Sequence, residues 1–138
     1  MKLKIIDHGA VSKSRLPKRA KPMDIGADVY ASRSWNLEPG TTFTMPLNVG
    51  IDLPNGTFAL VLPRSSMAKD GISCLPVPID ASYKKQIHAF ISNHGRDSYY
   101  ISEGARIGQL VILNGLLPDF VTEPLEERGE AAFGSTGI

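Results

Sequence analysis

An all-β domain is predicted, a distorted jelly roll or barrel-like sandwich, on three observations. Apolar residues come in short runs rich in Val, Ile and Phe. Gly, Pro, Asn and Asp break these runs at short intervals, and ten prolines leave little room for long helices. At 138 residues, 42% hydrophobic and 21% charged, the chain suits one domain around one core.

The elements follow in order. Lys2–Asp7 and Asp28–Ser32 read as strands, and Thr41–Leu53 as a long one between the turns Glu38-Pro39-Gly40 and Pro54-Asn55-Gly56. Pro and Asn-Gly set the backbone angles of tight turns, so Thr57–Leu62 starts a new strand. SSMAKDG is the one helical stretch, with Ser65 or Ser66 as its cap, Lys69 near its end and Gly71 as its stop. Strands are then expected at Gln86–Asn93, Ser98–Ile101, Arg106–Leu113 and near Phe120–Pro124. Two segments fall outside this rhythm, the basic KSRLPKRAK (Lys13–Lys21) and RGEAAFGSTGI (Arg128–Ile138). Residues 1–127 are therefore expected to form the domain, and 128–138 a flexible Gly/Ser/Thr arm.

A formal charge of +1 and a pI of 7.9 exclude a global field, so a polyanion must be held by locally placed Arg and Lys. Stable nucleic-acid binding is not expected, and the Lys13–Lys21 stretch reads as a solvated loop. Cys74 is the single cysteine, which excludes an intramolecular disulfide and a multi-cysteine zinc site and fits a reducing compartment, the cytoplasm. MKLKIIDHGA lacks a long apolar run, and no later stretch approaches a membrane span, so neither secretion nor membrane insertion is expected.

Three segments carry chemistry-bearing residues. The tail's GSTG offers hydroxyls and flexible N–H groups suited to phosphate; its plain reading is a frayed terminus. PRSSMAKDG brings Arg64, two hydroxyls and a short helix start together, a natural anion site; its plain reading is a capped surface helix. In PVPIDASYKKQ, Asp80 follows a Pro-rich run and precedes Tyr83; the plain reading is a turn-capping Asp beside a core-edge aromatic. Taken singly, each plain reading is favoured.

The ensemble overrides them. With DIGADVYAS before and ARIGQLVI after, these segments form five motifs in fixed order. Together they resemble the trimeric dUTPase family across almost the whole chain. The family patterns run approximately as Ala-Gly-x-Asp-Leu, Pro-Arg-Ser-Gly-Leu-Ala, Gly-Val-Ile-Asp-x-x-Tyr, Arg-Ile-Ala-Gln-Leu and Arg-Gly-x-Gly-Gly-Phe-Gly-Ser-Thr-Gly.

The resemblance implies hydrolysis of dUTP to dUMP and pyrophosphate, which limits uracil in DNA and supplies dUMP for thymidylate synthesis. It implies that Asp80 is the general base for a water attacking the α-phosphorus. Arg64, Ser65, Gln109, Arg128, Ser135 and Thr136 would hold the phosphate chain, with Ser66 adding its backbone N–H. Mg²⁺ would bridge phosphate oxygens and keep several waters, with Asp28 an outer-sphere partner through water. Tyr83 would stack under the deoxyribose, Ile79 would line the nucleoside pocket, and the hairpin around Cys74–Gln86 would meet the uracil edge. Phe133 would cover the base as the arm closes, the arm coming from another subunit of a homotrimer with three shared sites.

The sequence departs from the family in places. Pro76-Val77-Pro78 stands where a Gly-containing stretch is usual, and one edge of an extended 76–78 segment loses both N–H donors. Ala131-Ala132 replace a glycine before Phe133, and Ser66-Met67 replace Gly-Leu. A Ser-Ser pair there also resembles the dCTP deaminases, which share the fold and place a Glu where this chain has Gln86-Ile87-His88. Gln cannot shuttle a proton, and alternation makes His88 a strand-face residue. The rival from another class is a catalytically idle, nucleotide-binding β-trimer. Retention of both Asp80 and the GSTG tail argues against it.

Overall fold

The computed structural model describes residues 1–10 and 15–124, so the whole 128–138 arm and the residues Lys13 and Ser14 of the basic stretch lie outside the described residues. The described strands are β1 (Lys4–Asp7), β2 (Ala27–Tyr30), β3 (Trp35–Leu37), β4 (Thr42–Pro46), β5 (Val49–Asp52), β6 (Thr57–Leu62), β7 (Ile72–Cys74), β8 (Ile79–Asp80), β9 (His88–Asn93), β10 (Tyr99–Ile101) and β11 (Arg106–Asn114). A short helix, α1 (Ser65–Lys69), joins β6 to β7.

The strands pair in the orders β2-β11-β6-β8 and β4-β9-β7, with two ribbons, β1-β5 and β3-β10. All these pairings are antiparallel. Side chains alternate across a strand, and β6 follows the rule, burying Thr57, Ala59 and Val61 while Phe58, Leu60 and Leu62 are half-covered. Leu37, Met45, Ile51, Ile91 and Ile107, drawn from both main sheets and both ribbons, meet in one apolar core. This is the all-β sandwich that the sequence predicts.

Three expectations need correction. Thr41–Leu53 is not one strand: Asn48 takes a left-handed turn (φ 60°), and the chain passes from β9 as partner to β1. Bonds brace that crossing, Leu47 N–H to the Ile87 carbonyl at 3.0 Å and Asn48 N–H to Gln86 Oε1 at 2.7 Å. Phe120–Pro124 forms no strand, and Phe120 stands 95% exposed; a strand needs a neighbour to bond, and this segment has none within the described chain. Neither serine caps α1 through its side chain. Arg64 occupies the N-cap, its carbonyl accepting from Met67 and Ala68, while buried Met67 anchors the turn. Gly71 does stop the helix, at φ 80°. Finally, β3, β7 and β8 are too short for periodicity to reveal.

Candidate active site

The predicted site residues collect at two places on the molecule. The first is a row across three strands. In β11, Gln109 lies opposite Asp28 of β2 on one side and Leu62 of β6 on the other. Directly paired residues share a face, and Leu62 sits on the outward face of β6, so Asp28 and Gln109 project outward with it. Beyond Leu62 the chain runs through Pro63 and Arg64 into α1. Gln109 Nε2 donates to the Pro63 carbonyl at 3.1 Å, tying β11 to that junction. Arg64 is half-buried, and Ser65 and Ser66 are exposed in the first turn of α1, where a helix has no internal acceptor for their N–H groups. This end offers donors and a cation to an anion.

Asp28, like its row neighbours, is partly buried. Its carboxylate lies 3.7 Å from Arg106 Nη1 with the side chain 18% exposed. Arg15, Lys18, Tyr30 and Arg106 surround it in a cavity of about 480 Å³. Lys18 also pairs with Asp28 through the backbone, at 2.7 and 3.1 Å. Among the described residues no group of three or more His, Cys, Asp or Glu could hold a metal ion. A cation at this end would therefore rely on ligands brought by an anion and by water, with Asp28 as the nearby carboxylate.

The second place is the mouth of the hairpin between β7 and β9. Cys74 pairs with Ile91, and Leu75 N–H donates to the Phe90 carbonyl at 2.8 Å before the two arms separate. Between them lies a mainly apolar cavity of about 260 Å³, bordered by Val77, Ile79, Asp80, Tyr83, His88 and Phe90, small enough to suit a single ring. Backbone groups alternate along extended chains, so with Leu75 and Phe90 facing each other, Val77 and His88 also present their N–H and C=O groups across the gap. Pro76 and Pro78 then face the other way. By this alternation the donors missing at the two prolines fall on the outer edge, while Pro78 itself also borders the cavity.

Tyr83 stands at the lip, 38% exposed. Its hydroxyl donates to the Gln86 carbonyl at 2.6 Å and its N–H to the Asp80 carbonyl at 3.0 Å, so both ends of the residue are fixed. The 84–86 arm lies flat on β5: a Cβ on Gly50 would come within 2.7 Å of the Lys84 carbonyl. Lys84 also bonds Asp52 at 2.6 Å and holds that carboxyl below its ordinary range. Asp80 is exposed, and its carboxylate has no protein partner among the described residues. Behind the hairpin, burial pushes the Cys74 thiol up to about 11, and its Sγ bonds the Ile107 carbonyl at 3.4 Å.

Within one chain Asp80 stands apart from the Gln109 row. Asp80 pairs with Phe58, at the far end of β6 from Leu62, and about 3.3 Å per residue separates these by about 13 Å. Arg128, Phe133, Ser135 and Thr136 lie outside the described residues. Ile79, Asp80 and Tyr83, singled out from the sequence, border one cavity, and the backbone edges of Val77 and His88, which alternation turns toward it, were not singled out. The phase of that alternation is set by the pairing of Cys74 with Ile91, which the sequence does not carry.

Comparison with known proteins agrees in fold and sequence. Residues 12–137 match the family model described as dUTPase. A deoxyuridine 5′-triphosphate nucleotidohydrolase of Leifsonia xyli is 42% identical over 130 residues, covering 89% of this chain and 86% of the relative. One from Gloeobacter violaceus is 38% identical, covering 88% of each. Among solved structures, a variant of the Staphylococcus bacteriophage 80alpha dUTPase with dUpNHpp superposes with a TM-score of 0.82 at 25% identity, covering 99% of both chains. The dUTPase from phage phi11 of S. aureus reaches 0.85 at 20% identity, covering 94% of this chain and all of that one. With its motifs in order, its sandwich in place and these relatives across most of its length, the chain belongs to the dUTPase family.

Proposed function

We propose that this protein hydrolyses dUTP to dUMP and pyrophosphate, at sites shared between three copies. The observation that carries the reading is the pairing of a small ring-sized cavity, rimmed by Asp80 and Tyr83, with a separate anion-suited row of Asp28, Gln109 and Arg64 in a member of this family. The separation of about 13 Å along β6 supports assembly from different copies. So do Met23, Ile25, Leu116, Leu117 and Phe120, each more than three-quarters exposed, an apolar surface suited to burial between subunits.

The base lies in the hairpin cavity, with the backbone groups of Val77 and His88 facing its edge. Tyr83 presents its ring to the deoxyribose, leaving a 2′-hydroxyl no favourable place. Asp80 takes a proton from a water whose oxygen attacks the α-phosphorus; the bond to the bridging oxygen breaks, and its electron pair leaves with pyrophosphate. Arg64, Ser65, Ser66 and Gln109 hold the phosphate chain, joined by Arg128, Ser135 and Thr136 of the 128–138 arm, whose Phe133 covers the base. Mg²⁺, when bound, neutralises charge on the phosphates; Asp28 fits the role of acceptor for one of its waters. A relative, the phage phi11 dUTPase, coordinates a structural Mg(II) ion. Among the described residues no helix is long and apolar enough to cross a membrane, and the buried free thiol of Cys74 suits the reducing cytoplasm.

The deaminase alternative loses support because Gln86 spends its Oε1 on Asn48 N–H, a bracing contact at 2.7 Å. Release of pyrophosphate from dUTP, dCTP, dTTP and UTP, with Mg²⁺ and with chelator, tests the proposal. Release from dUTP alone, lost with chelator, is expected. Ammonia from dCTP would establish the deaminase, and binding without turnover the idle trimer.

A further inference from the structure

Gly26 has a negative φ or an extended backbone, so its lack of a side chain is not needed for a left-handed turn. What it needs is space. A Cβ on Gly26 would come within 2.9 Å of both Cβ and Cδ of Gln109, and closer still to Oε1. A bulkier residue therefore cannot sit there unless Gln109 moves. Gln109 in turn donates from Nε2 to the Pro63 carbonyl, one residue before Arg64 at the head of α1. The contacts form a chain across three consecutive strands: Gly26 leaves the slot, the Gln109 carboxamide fills it, and the filled carboxamide holds the Pro63–Arg64 junction.

We infer that Gly26 is a positioning residue for the phosphate end of the site, acting through Gln109 on the Arg64 arm. This rests on the proposed dUTP hydrolysis. Displacing the carboxamide from the slot frees the Pro63 carbonyl and lets Arg64 and the start of α1 shift, a displacement that matters because misplacement by about 1 Å can cost 10²-fold in rate. The hairpin cavity is bordered by none of Gly26, Gln109, Pro63 and Arg64.

The test compares Gly26→Ala, Gln109→Ala and the double variant in the full chain, after wild-type pyrophosphate release from dUTP has been established. Without that release the functional reading fails first, and the variants are not reached. With it, Gly26→Ala should lower kcat/KM for dUTP about tenfold or more, while inhibition by 2′-deoxyuridine, which lacks phosphates, stays at the wild-type level. Gln109→Ala should fall by a similar factor, and the double variant should be no worse than Gln109→Ala, because both changes break one chain of contacts. Wild-type kcat/KM in Gly26→Ala, equal loss of deoxyuridine inhibition, or multiplicative losses in the double variant would each overturn the inference. If Gly26→Ala does not fold, recovery of folding in the double variant supports it, and failure of both to fold overturns it.

Discussion

The row across β2, β11 and β6 and the hairpin between β7 and β9 are built on different principles. In the region proposed to hold phosphate, Asp28, Gln109 and Leu62 lie side by side in neighbouring strands, and their positions follow from register alone. The hairpin end is held by bonds from irregular chain: Tyr83 hydroxyl to the Gln86 carbonyl, Asn48 N–H to Gln86 Oε1, and Leu75 N–H to the Phe90 carbonyl. The difference matches the tasks proposed for the two regions. An anion needs fixed charge and donors, which a sheet supplies with little reorganisation, whereas a flat base needs a gap between two strands, which regular pairing would close.

The largest expected effect comes from the hairpin end. Asp80→Asn should retain dUTP binding and lose about two to four powers of ten in kcat, since only proton removal from water is impaired. Single-turnover rates alongside equilibrium binding check this; unchanged turnover removes Asp80 from the role of base. Deleting Arg128–Ile138 should come next, lowering kcat/KM by at least about 10²-fold through loss of phosphate donors while leaving the thermal transition of the domain in place. A protein that no longer folds would make the arm structural instead.

Smaller effects sharpen the contrast. Tyr83→Phe removes one hydrogen bond, worth about 1 kcal/mol, and should reduce the preference for dUTP over UTP about fivefold by loosening the ring. The same preference measured in Arg64→Ala should not change, because that residue belongs to the other end. The smallest effect concerns the thiol behind the hairpin. Cys74 is held neutral in the folded protein to about pH 11 and ionises earlier when unfolded, so its contribution is complete below about pH 9 and lost as pH rises toward 11. Thermal melts of wild type and Cys74→Ala should show a steeper decline over that window in the wild type; parallel declines would mean that the thiol is not buried in solution.

The regular half of this architecture was legible before any coordinates. Thr57–Leu62 was read with its observed boundaries, and Arg106–Leu113 to within one residue, because both have an apolar face and long uninterrupted runs. The break at Asn48 has a sequence signal in Pro46 and Asn48 themselves, since Asn is the non-glycine residue that most readily takes the left-handed conformation, but the apolar run around them masks it. Strands β7 and β8, three and two residues long, exist only through their partners β9 and β6. For the same reason the prolines at 76 and 78 misled: which edge a backbone group faces depends on the pairing that fixes the phase, here Leu75 with Phe90. The motifs propose Asp28, Arg64, Asp80 and Gln109 as partners in chemistry. Only register reveals that one chain holds them at separate ends.

Co-expression of Asp80→Asn and Arg64→Ala chains tests that separation most directly. Each variant alone should be nearly inactive. If sites take Asp80 from one copy and Arg64 from another, random assembly in equal amounts restores about a quarter of wild-type activity. Activity no greater than the mean of the two variants alone would mean that each chain builds its own site, contradicting a shared one.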